Sequence, residues 1–310
     1  GDIATGDSTT NDYKNITVKY GDLTATSTDG SITFGDATDT TNPALDVANG
    51  SATILAKNDI KANGNIKIKD SDLYIKSQEG KVTFGEVTDT TNPALSVVNG
   101  SAYVVAKDAL TMNGDVVLDS LTKNSLIEGS SVSMGSLTST NNAERMIAIG
   151  ATNEKLAITG EVTVDDTKLL QISGAQGIDI KATGTKKGDV TITDSKFAAI
   201  ADTGNINIDG NVSADNSVVS IVVRDSGTGN ITIGNNSTTT PALSVVDSSA
   251  YISSEGLTTI KGDVLMNNLA DLAYISGNSV DIKGDVSIKN SEYASTIYAQ
   301  DGNLTLGALD

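Results

Sequence analysis

The sequence predicts an all-β fold, a right-handed parallel β-helix (β-solenoid) of about 12 coils, with roughly 25 residues per coil and a 50-residue double-coil repeat. Three observations predict it. Apolar residues alternate with polar ones in short runs bounded by Gly, Asn, Asp or Ser, as in Asn65-Ile66-Lys67-Ile68-Lys69 and Val190-Thr191-Ile192-Thr193, and helical spacing is missing. These runs end in glycine at a nearly constant step. One longer stretch, Thr-Thr-Asn-Pro-Ala-Leu, returns with the same period.

The glycine register runs through Gly35, Gly64, Gly85, Gly114 and Gly135, then Gly160, a looser member at Gly184 or Gly188, and Gly210, Gly234, Gly262, Gly284 and Gly307. From Gly35 to Gly307 is 272 residues in eleven steps, which sets the 25-residue coil. The early steps alternate 29 and 21 residues, and their sum is the 50 residues that separate Pro43 from Pro93. Within one step three strands are expected, for example 94–98, 102–106 and 110–112. In each, one alternate set of side chains turns inward, Ile66 and Ile68 for instance, and leaves Lys67 and Lys69 outside. An antiparallel sandwich, or a tandem of small β domains, is the competing arrangement, but neither requires a constant step. Right-handedness follows from the strong preference of parallel crossovers for that hand. The pattern runs through residues 1–310 as a single continuous solenoid, expected to be a segment of a longer chain.

Composition narrows the chemistry. With no histidine, cysteine or tryptophan, the chain cannot build Ser-His-Asp or Cys-His nucleophile systems, the usual zinc sites, disulfides or a histidine switch. The net charge of -18 opposes sequence-independent nucleic-acid binding and attraction to anionic lipid, both of which need basic patches. No run of 18 apolar residues is present, so no transmembrane helix is expected. The chain opens Gly1-Asp2-Ile3 without a basic and apolar leader, and any secretion signal is expected to lie outside this stretch.

Two columns are the candidate sites. The Thr-rich loops around the prolines, with Thr40, Thr41, Asn42 and Pro43, then Thr90, Thr91, Asn92 and Pro93, then Thr239, Thr240 and Pro241, read either as corners that aim the chain into the next strand or as a row of contact loops. Residues 138–142 are grouped with them as a further projecting loop. The second column follows the glycines and contains the acids Asp36, Glu86, Asp115, Glu161, Asp189, Asp263 and Asp285. Carboxylates stacked one coil apart repel by about 1 kcal/mol per neighbour in water. Either bound Ca²⁺ relieves them, or the interrupting Asn and Ser residues suffice and the acids make the turn by bonding to backbone. No other cofactor is expected. Catalysis on a solenoid would call for acids beside aromatic platforms, and the one adjacent pair, Asp165-Asp166, reads as a solvated turn next to a strand. A polysaccharide-active enzyme is therefore the least favoured reading, and the chain is expected not to be an enzyme.

Strands such as Gly229-Asn230-Ile231-Thr232-Ile233 and Gly188-Asp189-Val190-Thr191-Ile192, together with the absence of cysteine, give the whole chain the texture of a known group. It resembles the passenger regions of bacterial type V secreted proteins, the autotransporter and filamentous-haemagglutinin-like adhesins. That resemblance implies a right-handed β-helix displayed outside a bacterial cell, binding host or bacterial surface glycan or protein, or other copies of itself. The expectation is a non-catalytic extracellular solenoid for adhesion or self-association. The alternative is a self-assembling structural subunit of an extracellular filament or matrix.

Overall fold

A computed structural model describes residues 3–4, 10–36, 38–39, 42–85, 92–224, 229–235 and 240–309. The chain forms two compact units, residues 1–152 and 153–310. Each is a parallel β-helix, and no helix occurs among the described residues.

In the first unit, every coil passes through three ladders of parallel strands. The first ladder stacks Ile16–Val18, Leu45–Ala48, Ile66–Lys69, Leu95–Val98, Val116–Asp119 and the start of Leu137–Ala151. The second contains Gly21–Ser27, Gly50–Ala56, Asp72–Ser77, Ser101–Ala106, Ser125–Gly129 and the end of Leu137–Ala151. The third runs from Thr10–Tyr13 through Ser31–Phe34, Ile60–Ala62, Val82–Phe84 and Leu110–Met112 to Val132–Met134.

The second unit repeats the plan. Its first ladder begins in Val162–Gly174 and continues through Val190–Thr193, Val212–Asp215, Leu243–Val246, Val264–Asn267 and Val286–Lys289. The second ladder follows with Lys196–Ala201, Val218–Val223, Ser249–Ser253, Ala273–Gly277 and Ser295–Ala299. The third links Leu156–Thr159 to Gly177–Lys181, Asn205–Ile208, Ile231–Ile233, Leu257–Ile260 and Ser279–Ile282.

Alternation decides which way each strand faces. In Ile66–Lys69 the isoleucines are fully buried and the lysines exposed, as the sequence pattern requires for a half-buried strand. Branched aliphatic residues fill the interior, with Phe34, Phe84 and Phe197 the largest buried side chains. Each such burial is worth roughly 1.5–3 kcal/mol before ordering entropy is charged against it.

The turn from the first ladder to the second uses one left-handed residue per coil. In the first unit these are Asn49, Asp70, Asn99, Ser120 and Asn141, and in the second Asp166, Asp194, Asn216, Asp247, Asn268 and Asn290, all with φ between 46° and 57°. Asn and Asp tolerate this region because their short side chains bond locally. They also bond between coils. Asn99 Nδ2 donates to Asp70 Oδ1 at 2.5 Å, Asn216 Nδ2 to Asp194 Oδ1 at 2.6 Å, and Asn268 Nδ2 to Asp247 Oδ1. Asp166 belongs to this column, so the Asp165-Asp166 pair is a turn.

One residue further on, a buried hydroxyl column lines the same corner of the second unit. The Ser195 hydroxyl donates to Thr193 O at 2.6 Å and accepts Thr167 N at 2.9 Å. Ser217 donates to Asp215 O and accepts Ser195 N, and Ser248 donates to Val246 O and accepts Ser217 N. Each hydroxyl thereby satisfies a carbonyl of its own coil and an amide of the preceding one, in a place closed to water. In the first unit, Ser71 plays this part towards Gly50 N. Asn142 serves Leu121 N there, and Gly50 and Gly100 pack against backbone instead.

Candidate functional site

The acidic column lies at the corner between the third and first ladders, and its geometry is that of a cap between coils. Asp115 Oδ1 accepts Ser136 N at 2.8 Å, Asp189 Oδ1 accepts Asn211 N at 2.7 Å, Asp263 Oδ1 accepts Asp285 N at 2.9 Å, and Asp285 Oδ1 accepts Ala308 N at 2.8 Å. Asn15 does the same for Asp36 N. The capping carboxylate lies over the next coil's glycine. A Cβ on Gly135, Gly210 or Gly284 would meet the preceding Asp Oδ1 at 2.5, 2.4 or 2.2 Å. That contact explains why Gly and Asp recur together: the aspartate needs the space that glycine leaves.

Asp36 spends its carboxylate within its own turn. The Thr38 hydroxyl and amide donate to Oδ1, and these bonds hold the Asp36 carboxyl below the usual aspartate range. Glu161 occupies the column at the start of its coil, and Glu86 lies outside the described residues. Among the described residues no three acids come together as a cation site.

The proline corners share one construction. Gly35, Gly85 and Gly234 take φ of 80°, 79° and 95°. A Cβ on them would meet the Cβ of Ala44, Ala94 or Ala242 at 2.6, 3.1 or 2.7 Å. Alanine therefore sits on the glycine, and the following Leu45, Leu95 or Leu243 enters the core. Proline precedes them where no amide donor is needed.

Asn42 is exposed and tied to Asp39 by its amide and its Nδ2, while Asn15 Nδ2 also donates to Asp39. Thr240 Oγ1 accepts Asn211 Nδ2. Asn92 is exposed, and Pro43, Pro93 and Pro241 are half-buried. Thr40, Thr41, Thr90, Thr91 and Thr239 lie outside the described residues. Residues 138–142 correct the reading of a projecting loop. They run as strand inside Leu137–Ala151, with Ser139 and Asn142 buried, because Asn142 donates to Leu118 O and accepts Leu121 N.

Residues that sequence reasoning did not single out form the outer face of the second ladder. In the second unit, register aligns Ala198, Ser220, Tyr251 and Tyr274 in one outward column and Ile200, Val222 and Ser253 in the next, which ends at the buried Ser276. None of these eight is charged. The Tyr251 and Tyr274 rings stack at 5.3 Å and 12°, and Tyr74 and Tyr103 of the first unit stack at 4.7 Å and 3°. Stacked rings cover each other's faces and turn edges and hydroxyls outward. They offer little flat surface for a sugar ring, and more for contacts made by edge and hydrogen bond.

The two arginines make ordinary surface contacts, Arg145 Nε to Leu121 O and Arg224 to Asp202 at 3.3 Å. No helix among the described residues is long and apolar enough to cross a membrane. The fold defines the class of protein, a parallel β-solenoid, here with structurally committed corners and two uncharged outward columns in its second unit. No protein-family model, curated protein or solved structure matches the chain.

Proposed function

We propose that the protein is a non-catalytic extracellular β-solenoid that works by surface contact, in adhesion or self-association at a bacterial cell surface. Two uncharged columns on the outer face of the second unit's second ladder carry this reading. In a chain of net charge -18, two copies, or one copy and an anionic cell surface, repel each other. A flat face bearing Val222, Ile200, Tyr251 and Tyr274 is where contact costs least electrostatically, and tyrosine is enriched in such contacts. Asp115, Asp189, Asp263 and Asp285 of the corner column are engaged in capping, which leaves them poor candidates for paired acid chemistry.

Replacing outward residues by charge tests the proposal without touching the core. Val222→Lys with Tyr251→Lys is expected to keep the melting temperature and to reduce both self-association by sedimentation velocity and retention on bacterial or host cells. Unchanged retention and unchanged self-association would remove the proposal. Release of reducing ends from polysaccharides by purified protein would overturn its non-catalytic part.

A further inference from the structure

A second candidate surface is independent of that face. In the second unit a cleft opens beside the corner between the third and first ladders, lined by Lys186, Lys187, Lys261, Asp209, Gly234 and Asn235. Three lysines against one aspartate make it locally cationic in a strongly anionic chain. We propose that this cleft binds an extended polyanion through phosphate or sulfate groups repeated along its chain.

Two departures from the coil pattern create the cleft, and both bring in lysine. The first is at position 261. In the first unit the residue paired with the left-handed glycine is an asparagine: Asn63 Nδ2 donates to Gly35 O at 2.9 Å, and Asn113 Nδ2 to Gly85 O at 3.3 Å. The equivalent neighbour of Gly234 is Lys261, whose amide bonds to Ile233 O as that of Asn63 does to Phe34 O. A capping residue has given way to a half-exposed ammonium. The second departure is the hairpin at 183–186, closed by mutual Thr183 and Lys186 backbone bonds, which carries Lys186 and Lys187 to the cleft.

Gly234 lies on the cleft wall between the coils of Asp209 and Lys261: its amide donates to Ile208 O, the Lys261 amide donates to Ile233 O, and its φ of 95° favours glycine. Asp209 Oδ2 accepts Ala182 N at 3.2 Å, which spends part of its charge on the hairpin base. Neither Lys187 nor Lys261 is in an ion pair among the described residues. Other lysines here are committed, Lys181 and Lys155 to Asp179 and Lys283 to Asp281.

The ligand class follows from spacing and donor type. The coils of Lys187 and Lys261 are three steps apart, roughly 14 Å of backbone at the usual strand spacing. That suits charges repeated along a chain better than one point ion. Lysine binds phosphate and sulfate oxygens as a compact point charge with three rotatable donors, a mode that needs no fixed planar geometry in the ligand.

Calorimetric titration with polyphosphate, dextran sulfate and inorganic phosphate tests this on the full chain. Saturable binding of at least one polymer is expected, weakened at least tenfold in Lys187→Gln/Lys261→Gln and within twofold of the parent in Lys168→Gln/Lys196→Gln, which removes the same charge elsewhere. Preference between the two polymers identifies phosphate or sulfate as the recognised group. Equal weakening in both double variants, no polymer binding, or inorganic phosphate binding as tightly as the polymers would each overturn the proposal. Matching melting temperatures across the variants keep the comparison one of binding alone.

Discussion

The corner after the third ladder is built one way in the first unit and another in the second. In the first, Gly35 and Gly85 turn left-handed and the next coil's Asn63 and Asn113 capture their carbonyls. In the second, Gly234 turns the same way and packs on Ala242, but the neighbour is Lys261. The glycine and alanine are thus the fixed parts of the corner and the cap is the adjustable one. Where the cap is dispensed with, the position becomes available to carry charge.

The largest expected effect falls on the fixed part. Gly35→Val and Gly234→Val each place a β-branched residue at positive φ and drive its Cβ into Ala44 or Ala242. Each is expected to cost about 3–5 kcal/mol in urea unfolding, the sum of a left-handed penalty and overpacking. A much smaller loss at Gly234 than at Gly35 would mean that the two corners differ in more than their cap.

The hydroxyl column comes next. Ser217→Ala leaves Ser195 N and Asp215 O without their partner in a dry corner, and about 2–3 kcal/mol should be lost, read from the same unfolding curves. The cap itself is worth less. Asn63→Ala is expected to cost about 1–2 kcal/mol, whereas Lys261→Ala should change stability by under about 0.5 kcal/mol. Equal losses at the two positions would erase the distinction between the corners.

The smallest effect is one of pH. Burial pushes the Asp179 carboxyl up, but the hydrogen bond from Asn207 and then Lys155 and Lys181 more than offset this and leave it below the ordinary aspartate range. A depressed folded pKa means stability present above the unfolded value and lost as pH falls through the folded one. Below pH about 4 the parent should therefore lose stability relative to Asp179→Asn, and parallel melting curves from pH 6 to pH 2 would contradict it.

Much of this architecture was legible in the sequence. Alternation gave the strands, the glycine step gave the coil, and the 29- and 21-residue alternation gave the double coil, because each depends on spacing along a single chain. The left-handed column from Asn49 to Asn290 and the hydroxyl column were not singled out. Asn, Asp and Ser are scattered throughout this sequence, and what distinguishes Ser195 or Asn99 is a partner one coil away. A usable signal was present: an Asn or Asp just after the first-ladder strand, followed by a small residue, as in Asn49-Gly50, Asp70-Ser71, Asp194-Ser195 and Asp247-Ser248. Residues 138–142 misled for the same reason, since a polar run reads as a loop until Asn142 is seen bonded on both sides within the core. The uncharged columns of the second ladder were invisible because they join single residues from strands more than 20 positions apart.

The clasp between Gly35 and Asn63, repeated between Gly85 and Asn113, ties together the two ends of a 29-residue step. It makes the pair of coils a module that can be removed whole. Excising residues 45–94 rejoins Ala44 to Leu95 and restores the same Pro-Ala-Leu spelling, with Gly35 now meeting Asn113. Excising the long coil alone, residues 36–64, leaves the Gly35 carbonyl without its asparagine donor. A two-coil excision of this kind therefore keeps its clasp, whereas the corner at Gly234, faced by Lys261, has no asparagine clasp to lose.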